Sequence, residues 1–150
     1  MSKSGDFLIV RTEDANDLPL PTRATPSSSG LDLYANVHSE IVIAPGERKL
    51  ISVGIKIAIP HGYEAQIRPR SGLALRYGIG IPNAPATVDA DYRGELKVIL
   101  INWGEAPFVV CRGDRIAQMV ICPVAIVAFT EAKSLPESIR GEGGFGHTGK

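Results

Sequence analysis

The sequence predicts an all-β fold, a sandwich or barrel of many short strands with one short helix and a flexible Gly-rich C-terminal tail. Three observations lead there. Sixteen Gly and eleven Pro in 150 residues supply many turns and break up long helices. Short runs rich in Val and Ile recur between those turns, as strands of a sandwich or barrel do. In Ile51-Ser52-Val53-Gly54-Ile55-Lys56-Ile57 every odd position is apolar, the period of a half-buried strand.

Taken in order, residues 7–12 are apolar and β-branched enough for a first strand. Residues 14–29 hold Pro19, Pro21, Pro26 and three serines and read as loop. From Leu31 onward strand follows strand, with the segments 39–43, 49–59, 63–68, 79–81, 96–102, 107–110 and 115–121 separated by turns such as Ala44-Pro45-Gly46, Pro60-His61-Gly62 and Trp103-Gly104. Only 71–77 has room for a helix, barely two turns. From Ser134 the apolar content collapses into a Gly-rich tail that has little to bury and much entropy to lose. The organisation expected is one domain over 1–150, a β-barrel core at 1–133 and a mobile C-terminal arm at 134–150. Within that arm a frayed end and a lid that orders over a ligand remain open, with Phe145 among the glycines favouring the lid.

Composition narrows the function. Sixteen basic residues balance sixteen acidic ones, giving a formal net charge of zero, so a nucleic-acid polymer is not an expected partner. The basic residues gather around Arg68 and Arg70, around Arg112 and Arg115, and at Arg140, which suits a small polyanion. The longest apolar stretch, 119–129, is broken by Pro123 and falls short of the ~20 residues of a membrane span. A soluble, cytoplasmic protein without membrane contact is the expectation. Cys111 and Cys122 have no metal-type spacing and read as free thiols in strands.

Five segments each put Gly beside charged or hydroxyl residues: Ser29-Gly30-Leu31-Asp32-Leu33, Arg68-Pro69-Arg70-Ser71-Gly72-Leu73-Ala74, 83–95, Arg112-Gly113-Asp114-Arg115-Ile116-Ala117-Gln118, and the tail from Arg140. Singly, each has an ordinary explanation as a turn, a helix start or a solvated charge. Hydrolysis of a small polyanion would need a carboxylate to take a proton from water and donors to hold the charge of the leaving group. Asp89 and Asp91 lie two apart, on one face of an extended segment, and spacing alone leaves open which is the base.

In order and content the five segments resemble the motifs of the trimeric dUTP diphosphatase (dUTPase) family, from Gly30 to Gly149. The blocks Pro85-Ala86-Thr87-Val88-Asp89-Ala90-Asp91-Tyr92-Arg93-Gly94-Glu95 and Pro69-Arg70-Ser71-Gly72-Leu73-Ala74, with the tail Arg140-Gly141-Glu142-Gly143-Gly144-Phe145-Gly146, carry it. The resemblance implies a jelly-roll-like distorted β-barrel and hydrolysis of dUTP to dUMP and pyrophosphate, which removes dUTP and supplies dUMP for thymidylate synthesis. It favours Asp89 as the catalytic base, acting on the water that attacks the α-phosphorus. It implies Asn83 at the uracil edge, a hairpin over 83–92 whose backbone at Thr87 and Val88 completes that reading, and Tyr92 beneath the deoxyribose, excluding a 2′-hydroxyl. Lys97 falls at a further substrate contact. Arg70, Ser71, Gly72 and Gln118 fall at phosphate contacts, and the tail places Phe145 on the base, with Arg140, Gly146, His147 and Thr148 toward the phosphates.

Mg²⁺ is the implied cofactor, carried on the phosphates with its waters near Asp32 and Gln118 and with no direct protein ligand expected. A homotrimer with shared active sites is implied as well. Two positions depart from the family pattern: Ala86 stands where Gly is usual, and His147 where Ser is more common. A dCTP deaminase of the same fold and a dUTP-binding sensor without turnover are the rival readings. The first would need a glutamate poised at cytosine C4, and the second would be favoured by loss of the base or the tail.

Overall fold

The computed structural model describes residues 6–147. Eleven strands and one helix follow in order: β1 (Leu8–Arg11), β2 (Leu31–Tyr34), β3 (Ile41–Ile43), β4 (Arg48–Ser52), β5 (Ile55–Ala58), β6 (Tyr63–Arg68), α1 (Ser71–Tyr77), β7 (Ile79–Gly80), β8 (Ala86–Val88), β9 (Lys97–Asn102), β10 (Phe108–Val110) and β11 (Arg115–Pro123). They form sheets ordered β2-β11-β6-β8 and β4-β9-β7, with the pairs β1-β5 and β10-β3 beside them. The fold is the expected distorted, jelly-roll-like barrel, open rather than closed by a continuous ladder. Every strand except β1 contributes to one core, with Leu33, Ile43, Ile51, Ile79, Leu100 and Ile116 at its centre. No helix of the described residues is long and apolar enough to cross a membrane.

The period of two holds where it is strongest, since Ile51, Val53, Ile55 and Ile57 are all buried. The expected single strand over 49–59 is nevertheless two. Gly54 sits at φ +67, a left-handed conformation that side chains resist. The chain turns there, so that β4 pairs with β9 while β5 pairs with β1. Inward side chains keep their alternation across the break because Ala15 and Asn36 pack into the space beside Gly54, where a side chain would stand.

The helix spans 71–77 as the sequence predicts, ending on Gly78 in the left-handed region. Residues 14–29 are mostly loop, with a 3₁₀ turn at Glu13–Ala15 and a bridge between Thr22 and Asp32. Three expectations change. Residues 39–43 yield a strand only from Ile41, and 31–34 form a strand of their own. The segment 83–92 is not a two-stranded hairpin: β8 pairs with β6, through Ala65 with Val88 and Ile67 with Ala86, while β9 pairs with β4 and β7. Val88 is buried and Ala86 partly so, and that burial draws the segment onto β6.

One buried polar side chain fixes the end of β9. Asn102 is fully buried, donates to the carbonyls of Ile43 (2.9 Å) and Ala106 (2.8 Å), and accepts from the Gly104 N–H (2.8 Å). Burying an amide is tolerable because its hydrogen-bonding capacity is met there.

Candidate active site

Two clusters with no residue in common hold the sequence-predicted residues outside the tail. The first surrounds a cavity of about 340 Å³ between β8 and β9. Asn83, Thr87, Val88, Asp89, Tyr92 and Lys97 all line it, whereas Asp91 is not among the lining residues. Leu50, Ile67, Ile81, Leu96 and Val98 give it an apolar wall, fed from β4, β6 and β9 as well as the loops. That combination, an apolar cavity with a few convergent polar groups, suits a flat organic base and a sugar.

Local backbone bonds hold this rim. The Tyr92 N–H donates to the Asp89 carbonyl (3.1 Å), closing a turn directly after β8. Arg93 pins the turn from outside, through bonds to the carbonyls of Ala90 (2.7 Å) and Tyr92 (2.9 Å). The Tyr92 hydroxyl donates to the Glu95 carbonyl at 3.0 Å, which lays the ring across Gly94. A side chain at Gly94 would bring its Cβ within 2.9 Å of Tyr92 Cε2, so the ring can lie there only over glycine. Asn83 and Asp89 remain exposed, open to a ligand. Ala86 sits within β8 opposite Ile67, and Phe145 is the one non-glycine residue with positive φ among those described. The extra methyl of Ala86 therefore carries no backbone strain.

The second cluster lies where β2, β11 and the end of β6 meet. As the central strand, β11 sets Gln118 opposite Asp32 on one side and Arg68 on the other. Asp32 receives Arg70 Nε at 3.4 Å and an Arg115 guanidinium nitrogen at 3.3 Å, one on each carboxylate oxygen. Arg70 also donates to the Arg115 carbonyl (3.0 Å), and Gln118 Nε2 to the Pro69 carbonyl (2.9 Å). Ser71 and Gly72 open α1 beside them. Both oxygens of Asp32 are thus already engaged by cations, an arrangement that spacing alone did not reveal.

Among the described residues of the tail, no hydrogen bond reaches either cluster. The Val124 N–H still bonds to the Gly62 carbonyl (2.9 Å), but residues 124–142 are exposed throughout. Arg140 bonds to the Gly143 carbonyl (2.6 Å), the His147 ring lies over Gly143, and Phe145 is fully exposed beside Gly146. Thr148 lies outside the described residues. Among those described, no three His, Cys, Asp or Glu side chains stand close enough to hold a metal ion.

Glu95, which lines the cavity, and its hydrogen-bond partner Ser52 carry no role legible in the sequence, and Arg115 was legible only as one of a cluster of basic residues. Away from both clusters, the Arg112 guanidinium clasps Asp17 through two bonds (3.0 and 2.6 Å) and holds its carboxyl down at about 2. Hydrogen bonds from Thr12 and then Asn36 lower Asp14 too.

Comparison with known proteins gives a concordant answer. The dUTPase family model matches residues 16–149. The chain is 55% identical over 141 residues to the deoxyuridine 5′-triphosphate nucleotidohydrolase of Thermoanaerobacter sp. (strain X514), covering 94% of this chain and 95% of that protein. It is 57% identical over 141 residues, with the same coverage, to the protein of that name from Caldanaerobacter subterraneus subsp. tengcongensis. The solved dUTPase of Staphylococcus bacteriophage 80alpha with dUpNHpp superposes with a TM-score of 0.86 at 22% identity, over 97% of this chain and 99% of that one, a likeness of fold. A family match over nearly the whole chain, with relatives identical at more than half of the aligned positions, makes this protein a member of the dUTPase family.

Proposed function

We propose that this chain hydrolyses dUTP to dUMP and pyrophosphate. The observation that carries the reading is the cavity between β8 and β9, where Asn83, Asp89 and Tyr92 converge on an apolar wall in a member of the dUTPase family. The uracil enters against that wall. Asn83, with a donor and an acceptor on one side chain, pairs with its edge, and the backbone at Thr87 and Val88 completes the fit. Tyr92, tethered by its hydroxyl, lies under the deoxyribose and leaves no space for a 2′-hydroxyl. Asp89 stands at the rim, where its carboxylate takes a proton from the water that attacks the α-phosphorus. Lys97 faces the same cavity as a further contact.

Arg70, Ser71 and Gly72, with Gln118, offer a guanidinium, a hydroxyl, backbone N–H groups and an amide to the phosphates. The residues fit Mg²⁺ that arrives on those phosphates and keeps its waters, since no dedicated cage is needed. Asp32 and Gln118 would hold such waters, and the ion would supply neutralisation of the phosphate charge. Arg140, Phe145, Gly146, His147 and Thr148, in an arm over 134–150, close over the nucleotide and exclude water. The division of these residues into two clusters with no member in common supports sites shared between subunits of a homotrimer.

The test is product analysis with purified protein and Mg²⁺, offering dUTP, UTP, dTTP and dCTP in parallel. Release of dUMP and pyrophosphate from dUTP alone is expected. Conversion of dCTP would move the protein to the deaminase branch, and dUTP binding without product would make it a sensor.

A further inference from the structure

We infer that Glu95 is a positioning residue of this cavity, holding Tyr92 through its main chain and Lys97 through its carboxylate, and itself anchored by Ser52. The inference rests on the dUTP reading and assigns a residue that the reading leaves without a role. Glu95 lines the cavity together with Tyr92 and Lys97. Its carbonyl accepts the Tyr92 hydroxyl at 3.0 Å, one carboxylate oxygen stands 3.9 Å from Lys97 Nζ, and the other accepts from Ser52 Oγ.

The direction of the Ser52 bond follows from its neighbours. A serine hydroxyl has one proton and two lone pairs. Ser52 Oγ already accepts from the Gly54 N–H at 3.2 Å and from Asn36 Nδ2 at 3.4 Å. Its proton is left for Glu95, which must therefore present an acceptor. Asn36, only 5% exposed, is oriented in turn: its oxygen accepts from Arg112 at 2.6 Å and its nitrogen also donates to Asp14 at 3.1 Å. A line of oriented groups thus runs from the Arg112-Gly113-Asp114 turn to the cavity, and Glu95 is its last member.

Two separable tasks result. The bond to Ser52 fixes the main chain at residue 95, and with it the carbonyl that keeps Tyr92 flat against Gly94. The charge tethers Lys97. Glutamine in place of Glu95 keeps an acceptor for Ser52 but turns an amide donor toward the Lys97 ammonium. Alanine removes both tasks.

The experiment compares kcat and KM for dUTP and UTP in the parent, Glu95→Gln, Glu95→Ala, Tyr92→Phe and the double variant Tyr92→Phe/Glu95→Ala, with Tm measured for each. Glu95→Ala is expected to narrow the dUTP-over-UTP ratio of kcat/KM roughly fivefold, about what one hydrogen bond is worth. Tyr92→Phe, which removes the other end of the tether, should narrow it equally, and the double variant should add nothing further. Glu95→Gln should keep the ratio while raising KM for dUTP. An unchanged ratio in Glu95→Ala or Tyr92→Phe at the parental Tm, or additive effects in the double variant, would overturn the inference. Should Glu95→Ala fail to fold, Tyr92→Phe decides the main-chain tether and Glu95→Gln the carboxylate, an unchanged KM for dUTP in Glu95→Gln overturning the inference. A parent that does not hydrolyse dUTP removes the dUTP reading and this inference with it, whereas an active parent with an insensitive ratio removes the inference alone.

Discussion

Asp89 illustrates what one residue owes to its neighbours. Spacing could not separate it from Asp91, because both would share a face of an extended strand. The strand ends at Val88, however, and the turn from Asp89 to Tyr92 leaves only the first aspartate on the cavity. As the proposed base, it acts on a proton rather than on the nucleotide's affinity. Asp89→Asn should therefore leave dUTP binding near the parental value while lowering turnover by roughly 10²–10⁴. Calorimetry beside steady-state kinetics checks this, and near-parental turnover would remove Asp89 from that role. The polar residues Asn83, Asp89, Tyr92 and Lys97 of the cavity were legible in the sequence through the motif resemblance, whereas its apolar wall was not. Glu95 and Ser52 were not, since their meeting spans 43 positions and depends on where β4 and β9 pair.

Elements were legible to the extent that they obey a local period. The alternation of Ile51, Val53, Ile55 and Ile57 and the seven residues of α1 needed only nearest-neighbour physics. The choice of partner strand did not. Whether β8 folds back on β9 or joins β6 depends on which neighbour buries Val88, and no local signal encodes it. The clasp of Arg112 on Asp17 belongs to the same class, joining the start of the 115–123 strand to the first loop. Because Asp17 titrates lower when folded than its ordinary 3.8, its contribution to stability is full above that value and is lost as pH falls toward about 2. Asp17→Asn should thus flatten the fall of Tm between about pH 4 and 2, seen by thermal melts across that range; an unaltered profile would show that the clasp is too exposed to matter. The tail is an element of another kind, exposed and bonded mainly to itself. Deletion of 140–150 should leave Tm close to the parental value and remove most activity, and an unchanged kcat would make the tail a frayed end.

At the scale of the whole molecule, the proposed chemistry falls into two clusters with no residue in common. One chain gathers the proposed base and sugar site around one cavity, and the guanidinium groups for phosphates around Asp32 at the meeting of β2 and β11. That division supports the proposed homotrimer with shared sites. If so, inactive Asp89→Asn protein mixed with inactive tail-deleted protein, after subunit exchange, should regain part of the parental activity. Mixtures that stay inactive while exchange is demonstrated by mass would place each site within one chain. The central claim, attack by water at the α-phosphorus of dUTP, is tested most directly by turnover in water enriched in oxygen-18, with the label located by mass spectrometry. The label should appear in dUMP; label in pyrophosphate would mean attack on a different phosphorus and would contradict the mechanism built on Asp89.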